Sequence, residues 1–266
     1  MTPQAIISEI ARDFPDAWAG QGIPEADLAA LRAAAGGDPA RFRTLLKRRL
    51  AGDPVAYVLG QIHFRGRRFR MDRRAHITDP ETSHLVEAVL AAARDLPDGA
   101  VVAEVGVGAG ALAISVALEA PRVTLVGLDV DSDALALCRA NQALHGVGFD
   151  LLESDMLHGW GDRQPPALVF GDLPWGDETT VYDEFRDVRH YLHMPPAAAF
   201  PLGDRTSAQR ELIQQVMRLG WPSRVILNCG TLPEADIQSL AAAAPGRRAV
   251  IHRPAATAAL LDITVG

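Results

Sequence analysis

Hydrophobic and polar residues follow two different rhythms along the chain. The first part favours helices, because apolar side chains recur at helical spacing in residues 2–12, 25–50 and 81–94. Residues 57–72 instead predict a short β-hairpin that turns at Arg65 and Gly66. We therefore expect a mainly helical N-terminal part with a hairpin before its last helix.

From residue 101 onwards, short runs of apolar and β-branched residues alternate with helical segments. The predicted strands are residues 101–105, 123–129, 149–153, 167–171, 224–228, 248–252 and 260–265. The predicted helices are residues 109–119, 132–145 and 233–244, with Ser132 as the N-cap of the second. This alternation predicts an α/β fold with a seven-stranded, mostly parallel sheet, covered by helices on both faces and closed by an antiparallel last strand.

The composition is ordinary for a globular protein. Of the 266 residues, 48% are hydrophobic and 22% are charged, and the net charge is −7, which excludes general disorder. Two cysteines, Cys138 and Cys229, exclude a disulfide scaffold, and no group of His, Cys, Asp and Glu has metal-ligand spacing. We expect no metal, and the lack of a signal peptide or an apolar span predicts a cytoplasmic location with no membrane association.

One segment departs from the acidic balance of the chain. Residues 41–74 contain eleven basic and two acidic side chains, a net charge of +9. Such a segment fits an acidic partner, namely RNA, an acidic protein or a small molecule with a carboxylate, or else a solvated surface of paired arginines. Both interpretations stay open at this point, although an acidic protein is a poor non-specific binder of nucleic acid.

A glycine-rich turn follows the first strand of the predicted sheet. Gly106, Gly108 and Gly110 open the next helix, and Glu104 stands two positions before the first glycine. Glycines let the backbone turn sharply and approach a ligand that a Cβ would block. The alternative is a tight strand-to-helix turn that holds no ligand.

Acidic residues also follow the next two predicted strands. Asp129, followed by Val130, stands where a carboxylate can accept hydrogen bonds from both ribose hydroxyls of a nucleoside. Asp155, followed by Met156, is well placed for an adenine amino group. With the glycine turn, these residues resemble the S-adenosylmethionine site of class I methyltransferases. The resemblance implies that Glu104 lies near the methionyl end, that the three glycines lie beneath the ligand, and that S-adenosylhomocysteine is the product.

The fourth strand of the predicted sheet ends in the sequence Asp172-Leu173-Pro174-Trp175. Many N-methyltransferases carry Asn or Asp, two prolines and an aromatic residue at this place. We assign Asp172 and the Leu173 carbonyl to orient the acceptor nitrogen, and Trp175 to stack on it, with Asp172 also bordering the cofactor. The alternative is that Asp172 caps a turn and Trp175 is a core residue.

Sequences upstream of the sheet extend the resemblance to one family. Residues 52–60 (GDPVAYVLG), 64–69 (FRGRRF) and 77–82 (ITDPET) are similar to the linker of the HemK/PrmC family, the protein-glutamine N5-methyltransferases of peptide-chain release factors. The resemblance implies a Rossmann-like class I methyltransferase fold. The implied domains are an N-terminal helical substrate-recognition region (1–55), a β-hairpin linker (56–78) and an S-adenosylmethionine-binding domain (79–266).

The sequence departs from the family pattern at the reaction motif. Asn-Pro-Pro-Tyr is replaced by Asp172-Leu173-Pro174-Trp175, and an aspartate, unlike an asparagine, cannot donate a hydrogen bond to a glutamine carbonyl. An anionic side chain suits an amine, a guanidine or an exocyclic base amino group. We therefore expect a relative that has retained the cofactor chemistry and changed its acceptor.

Residues just beyond the reaction strand are candidates for substrate binding, because this fold commonly forms a substrate lid there. The candidates are Trp175, Tyr182, Arg186, Arg189, His190, Tyr191 and His193. A polar loop without a binding role is the alternative.

The predicted function is S-adenosylmethionine-dependent N-methylation of a small molecule, in the manner of specialised metabolism, by a HemK/PrmC-like enzyme. Three alternatives stay open: a release-factor glutamine methyltransferase, an N-methyltransferase of a guanine or adenine amino group in RNA, and a non-catalytic scaffold with the cofactor fold. The string Asp172-Leu173-Pro174-Trp175-Gly176 also resembles RNA guanine-N2 methyltransferases. A small-molecule or protein partner is favoured over nucleic acid.

Overall fold

The computed structural model describes Thr2 and residues 5–7, 9–10, 23–176 and 193–266. Its helices, besides helical residues within 5–10, are α1 (Glu25–Ala35), α2 (Pro39–Leu50), α3 (Val55–Leu59), α4 (Ser83–Ala93), α5 (Ala111–Glu119), α6 (Ser132–His145), α7 (Pro196–Ala199), α8 (Ser207–Arg218) and α9 (Glu234–Ala242). Its strands are β1 (Gln61–Phe64), β2 (Arg67–Arg70), β3 (Val101–Val105), β4 (Thr124–Asp129), β5 (Asp150–Glu153), β6 (Leu168–Gly171), β7 (Arg224–Asn228), β8 (Arg247–Ala255) and β9 (Ala258–Val265). Short 3-10 turns occur at Pro80–Thr82 and His158–Trp160.

The N-terminal helices pack around a small core of their own. Gly36 ends α1 in the left-handed conformation, and the carboxylate of Asp38 accepts hydrogen bonds from two N–H groups in the first turn of α2. Leu31 of α1, Leu46 of α2 and Val58 of α3 are buried in one apolar cluster. The packing of the helical region thus continues through α3, past the predicted boundary at residue 55.

The predicted hairpin is present in a shorter form. β1 and β2 pair antiparallel, and Arg65 and Gly66 have φ angles of 48° and 72°, as a two-residue type I′ turn requires. Residues 57–59, predicted to begin the hairpin, belong instead to α3, which Gly60 ends in the left-handed conformation. The predicted turn position is therefore confirmed, and the predicted start of the hairpin is wrong.

One buried amide joins the hairpin to the sheet domain. Asn141 of α6 accepts a hydrogen bond from the Arg70 N–H at 2.7 Å and donates to the Arg70 carbonyl at 3.0 Å. It also donates to the Ala109 carbonyl at 2.8 Å, in the turn that follows β3. Phe64 and Phe69 of the hairpin are buried in the same core as α4 and α5. The hairpin is thus fixed both by apolar packing and by backbone hydrogen bonds.

The large sheet has the strand order β5-β4-β3-β6-β7-β9-β8. Strands β3 to β7 are parallel, and β9 runs antiparallel to both of its neighbours, β7 and β8. The predicted seven-stranded, mostly parallel α/β sheet is therefore confirmed. Because the chain continues from β3 to β4 on one side and returns to β6 on the other, a crevice opens at the carboxyl ends of the central strands.

Helices cover both faces of this sheet. Side chains of α4, α5 and α6 pack on one face, where Val102 and Phe170 are buried, and those of α8 and α9 pack on the other, where Ala103 and Val169 are buried. This double cover is what parallel strands require, since their side chains are apolar on both faces. None of the helices in the described ranges is both long and apolar enough to cross a membrane.

Two helix details differ from the sequence analysis. Asp131, rather than Ser132, caps α6, because its carboxylate accepts a hydrogen bond from the Asp133 N–H at 2.8 Å. Helix α8 is absent from the predicted elements, although Leu212 and Val216 are four residues apart and both buried. The missed helix matters because it forms one wall of the site described next.

Candidate active site

A cavity of about 1000 Å³ opens at the carboxyl ends of the central strands. Residues that end or follow four different strands line it: Gly106 after β3, Asp129 at the end of β4, Asp172 after β6 and Asn228 at the end of β7. Its size suits a ligand as large as a nucleoside with an acceptor group beside it. The crevice expected from the strand order is thus present at this edge of the sheet.

The glycine turn forms the floor of the cavity only in part. Gly106 and Gly108 line the cavity, with φ angles of 74° and 52°. A Cβ on Gly106 would stand 3.2 Å from Leu173 Cδ2, at the lip of the reaction motif. Gly110 lies below the lining instead, where a Cβ would come within 2.5 Å of Cys138 Sγ. Its lack of a side chain lets α5 pack against α6, so it supports the turn from beneath.

Asp129 is held in place by backbone groups. Its Oδ2 accepts a hydrogen bond from the Gly108 N–H at 2.8 Å, and its Oδ1 accepts one from the Asp131 N–H at 3.0 Å. Burial raises the pKa of Asp129, and these backbone donors oppose that rise. Each oxygen keeps a second lone pair for a ligand hydroxyl. Val130 lines the cavity beside it and is 61% exposed, which is unusual for so apolar a side chain.

Asp155 and Met156 line the same end of the cavity. Asp155 is exposed, and Met156 is half-buried with a φ angle of 49°, a backbone conformation that residues other than glycine seldom adopt. The Ser154 hydroxyl donates to the Met156 carbonyl at 2.7 Å and so stabilises this turn. Val130 and Met156 together provide apolar surface for a flat ring, with a carboxylate near its edge.

Glu104 does not line the cavity. Its side chain is 1% exposed, and its Oε2 has no hydrogen-bond partner within the described residues. Burial raises the pKa of Glu104 well above the usual value, and the nearby carboxylates of Asp172 and Asp129 raise it further. Glu104 is therefore a buried acid outside the cavity lining, close enough to Asp172 and Asp129 for their charges to act on it.

Asp172 is held on both of its oxygens. Its Oδ1 accepts a hydrogen bond from Asn228 Nδ2 at 2.8 Å, and its Oδ2 accepts one from the Thr82 hydroxyl at 3.1 Å. Burial raises the pKa of Asp172, and the two donors oppose the rise. The alternative that Asp172 caps a turn is not supported by these partners, which come from β7 and from the 3-10 turn before α4.

The rest of the reaction motif surrounds Asp172. Leu173, Pro174 and Trp175 line the cavity, and the Leu173 carbonyl accepts a hydrogen bond from Gln209 Nε2 of α8 at 3.3 Å. The Trp175 indole lies directly over Gly230, where a Cβ would overlap the ring. One carboxylate, one carbonyl and one aromatic ring are thus grouped at the same wall.

The sequence analysis missed four residues that organise this wall: Thr82, Gln209, Asn228 and Gly230. Thr82 and Asn228 carry a weak signal, since both are polar residues beside elements that the sequence predicts correctly. Gln209 carries none, because its helix is not among the predicted elements.

Most candidate substrate residues cannot be compared with the fold. Tyr182, Arg186, Arg189, His190 and Tyr191 lie outside the described residues. His193 is described and lies away from the cavity lining, next to Gly52, with its Nδ1 3.7 Å from Asp53 Oδ1. Apolar residues between Pro195 and Leu202 also line the cavity, and Leu202 is 98% exposed.

Most of the basic side chains at residues 41–74 form ion pairs. Seven of the eleven form them; the seven are Arg43, Arg48, Arg49, Arg65, Arg67, Arg73 and Arg74. Arg65, for example, pairs with both Glu87 and Glu119. This pairing supports the interpretation of a solvated surface. Within the described ranges, no group of three or more His, Cys, Asp or Glu could hold a metal ion.

Comparison with known proteins identifies the family of the chain. Residues 75–170 match the family described as Methyltransferase small domain. The release factor glutamine methyltransferase of Neisseria gonorrhoeae is 43% identical over 148 residues, which are 52% of this chain and 53% of that protein. The release factor glutamine methyltransferase of Enterococcus faecalis is 30% identical over 210 residues, 77% of this chain and 72% of that protein.

Solved structures agree on the fold. The ribosomal protein L11 methylase from Lactobacillus delbrueckii subsp. bulgaricus superposes with a TM-score of 0.52 at 18% identity, over 74% of this chain and 84% of that chain. The chain spans little more than half the length, 53 to 59%, of three of the curated relatives it matches. Because the Enterococcus protein is 30% identical and is matched over 72% of its length, the chain belongs to the release factor glutamine methyltransferase (HemK/PrmC) family of class I, S-adenosylmethionine-dependent methyltransferases.

Proposed function

We propose that this protein transfers a methyl group from S-adenosylmethionine to an acceptor nitrogen held at Asp172. The observation that carries the proposal is the grouping of the Asp172 carboxylate, the Leu173 carbonyl and the Trp175 ring beside a cavity that also contains Asp129. All of these lie at the carboxyl edge of one sheet.

The residues of the cavity fit S-adenosylmethionine. Asp129 offers one free lone pair on each oxygen for the two ribose hydroxyls, Val130 and Met156 offer an apolar wall for adenine, and the backbone at Gly106 leaves space that a Cβ would fill. When bound, the cofactor supplies a methyl group on a cationic sulfur, so the leaving group needs no protonation.

The protein contributes alignment and electrostatics. Asp172 and the Leu173 carbonyl accept the N–H hydrogens of the acceptor, which turns the nitrogen lone pair towards the cofactor end of the cavity. Trp175 packs against the planar acceptor group from one side. The raised pKa of Asp172 makes its carboxylate a suitable acceptor for the proton that the nitrogen loses.

For the acceptor, we infer the side-chain amide of a glutamine in a peptide-chain release factor. The support is the name shared by the relatives from Neisseria gonorrhoeae and Enterococcus faecalis. This acceptor takes precedence over the small molecule favoured by the sequence alone.

A second acceptor class is favoured by one specific observation. Position 172 is an aspartate whose two oxygens already accept hydrogen bonds from Asn228 and Thr82, so the carboxylate is fixed as an acceptor only. It has no N–H to give to a glutamine carbonyl. An amine or guanidine nitrogen, which carries only N–H donors, suits that carboxylate better.

The test uses the full chain with S-adenosylmethionine labelled in its methyl group. Label is measured in purified release factor, in total RNA and in a small-molecule extract. Incorporation into the release factor at a glutamine supports the first acceptor, and label in the small-molecule fraction alone supports the second. Label in RNA contradicts both acceptor proposals.

Asp172→Ala is the matched variant for this assay. It should leave the affinity for S-adenosylmethionine within a few fold, since Asp129 and the glycine turn are intact, while most turnover is lost. Full activity of this variant would refute the proposed function.

A further inference from the structure

Asn228 meets Asp172 from the neighbouring strand in a fixed orientation. Its Oδ1 accepts a hydrogen bond from the Gly230 N–H at 3.1 Å, and its Nδ2 donates to Asp172 Oδ1 at 2.8 Å. A backbone N–H can only donate, so Gly230 determines which end of the amide faces the loop. The N–H end must then face Asp172.

We propose that Asn228 is a positioning residue, which directs the Asp172 carboxylate towards the acceptor nitrogen and keeps it an anionic hydrogen-bond acceptor. The inference rests on the proposed function, because it assigns Asn228 an effect on the same methyl transfer.

Thr82 completes the arrangement from the opposite side. Its hydroxyl donates to Asp172 Oδ2 at 3.1 Å, and its side chain is buried. With one donor on each oxygen, the carboxylate plane cannot rotate without losing a hydrogen bond. One lone pair on each oxygen then remains for the cavity, which is where an acceptor N–H must bind.

The negative charge of Asp172 is stabilised by two neutral hydrogen-bond donors, the Asn228 amide and the Thr82 hydroxyl. Among the described residues, no Arg, Lys or His forms an ion pair with Asp172. Glu104 from β3 and Cys229 after Asn228 are close enough for the charge of Asp172 to act on them, and neither carries a positive charge. Other titratable residues line the same cavity; they are Arg74, His76, Asp79, Glu81, Asp129, Asp131, Asp155 and Glu211. Removal of the Asn228 donor therefore favours the protonated, non-accepting form.

A structural role alone explains this contact poorly. Asn228 and Asp172 are both only half-buried, and both line the cavity. The hydrogen bond therefore lies at the wall where the proposed acceptor binds, so its loss acts on the group beside that acceptor as well as on the fold. Its value lies in orienting the carboxylate.

The test compares three variants with a matched control. Asn228→Asp retains an acceptor for the Gly230 N–H, removes the donation to Asp172 and adds a like charge beside it. Asn228→Leu removes both hydrogen bonds at similar volume and adds no charge. Asp172→Asn removes the titrating group. Asn141→Ala is the control for the Asp172 pKa, because it deletes a buried amide whose hydrogen bonds go to Arg70 and Ala109 and not to Asp172.

The first readout needs no acceptor. The carboxyl ¹³C signal of Asp172, assigned by its absence in Asp172→Asn, is titrated in protein saturated with S-adenosylhomocysteine. We expect its pKa to rise by about one unit or more in Asn228→Leu, the shift expected from losing one hydrogen bond to a charged group, and to rise further in Asn228→Asp, where the second carboxylate adds repulsion. The control should leave this pKa unchanged even where it lowers the melting temperature.

The second readout is the pH profile of turnover with the acceptor fraction labelled by the wild-type protein. The acid limb should move to higher pH in Asn228→Leu and in Asn228→Asp, and it should be insensitive to position 228 once Asp172 is Asn. An unchanged Asp172 pKa, or an equal loss of turnover in both backgrounds, overturns the inference. No labelling of any fraction by the wild type defeats the proposed function instead, so the two failures are distinguishable.

Discussion

Gly230 provides a direct test of the role of Trp175. Gly230 has a φ angle of 48°, and a Cβ at this position would overlap Cζ2, Cη2 and Cε2 of the Trp175 indole. Carbon atoms in contact stay about 3.5–4.0 Å apart, so the ring in Gly230→Ala must move by about 1 Å or more. Because the ring lines the cavity together with Asp172, the surface on which the proposed acceptor packs moves with it.

The expected effect has two separable parts. The left-handed backbone costs an alanine about 1–2 kcal/mol relative to glycine, which lowers stability. The displaced ring lowers turnover, and a misplacement of about 1 Å at a reaction site costs on the order of 10²-fold in rate. We therefore expect a modest fall in melting temperature and a large fall in turnover.

Gly220→Ala is the matched control for this variant. Gly220 also has a positive φ, 64°, but a Cβ added there would meet no atom within 4 Å, so only the backbone cost applies. Initial rates of methyl transfer and melting temperatures are compared for both variants. If the two variants lose the same amount of turnover, the acceptor does not pack against Trp175 and the proposed role of this residue is wrong.

Three further predictions follow from other parts of the site. Burial raises the pKa of Glu104 well above its usual value of 4.5, so ionisation of Glu104 in the unfolded chain lowers the stability as the pH rises from 4.5 to the folded-state pKa. The melting temperature of Glu104→Gln should therefore increase relative to that of the wild type between acidic and mildly alkaline pH. A difference in melting temperature that stays constant with pH would contradict this. Asp129→Ala should weaken S-adenosylmethionine binding by about 1–3 kcal/mol in calorimetry, the scale of lost hydrogen bonds to a carboxylate, and equal affinity would exclude a ribose contact. Gln209→Leu removes the donor to the Leu173 carbonyl, so turnover should fall. It also removes a buried Oε1 that has no partner in the described ranges, so the melting temperature should stay the same or rise. Unchanged turnover would show that the carbonyl needs no such support.

Much of the fold follows from local patterns in the sequence. The strands around residues 101–105 and 224–228 are predicted at their observed bounds, because a parallel strand covered on both faces is a continuous apolar run. The hairpin turn at Arg65 and Gly66 is also predicted, since few sequences favour two successive positive φ angles. Features that depend on a single stretch of chain are thus readable from that stretch.

The hydrogen-bond partners of the site residues do not follow from local sequence patterns. Asp172 can be picked out by its motif, but its hydrogen bonds to Thr82 and Asn228 join residues 90 and 56 positions apart. Such pairings depend on strand order and on how α4 enters the sheet, which no local pattern contains. Helix α8 is a different case, since its amphipathic spacing is present in the sequence and a local pattern is enough to predict it.

The buried amide of Asn141 has a consequence for how acceptors can change in this family. It binds the backbone of Arg70 and the carbonyl of Ala109 at once, so the hairpin that follows the first helices and the glycine turn share one anchor. The spacing between the N-terminal helices and the cavity is thereby fixed by a residue that belongs neither to the core of those helices nor to the cavity lining. If α1 and α2 recognise a protein acceptor, as the sequence predicts, we expect substitutions on their outer surfaces to change the target while this spacing stays constant.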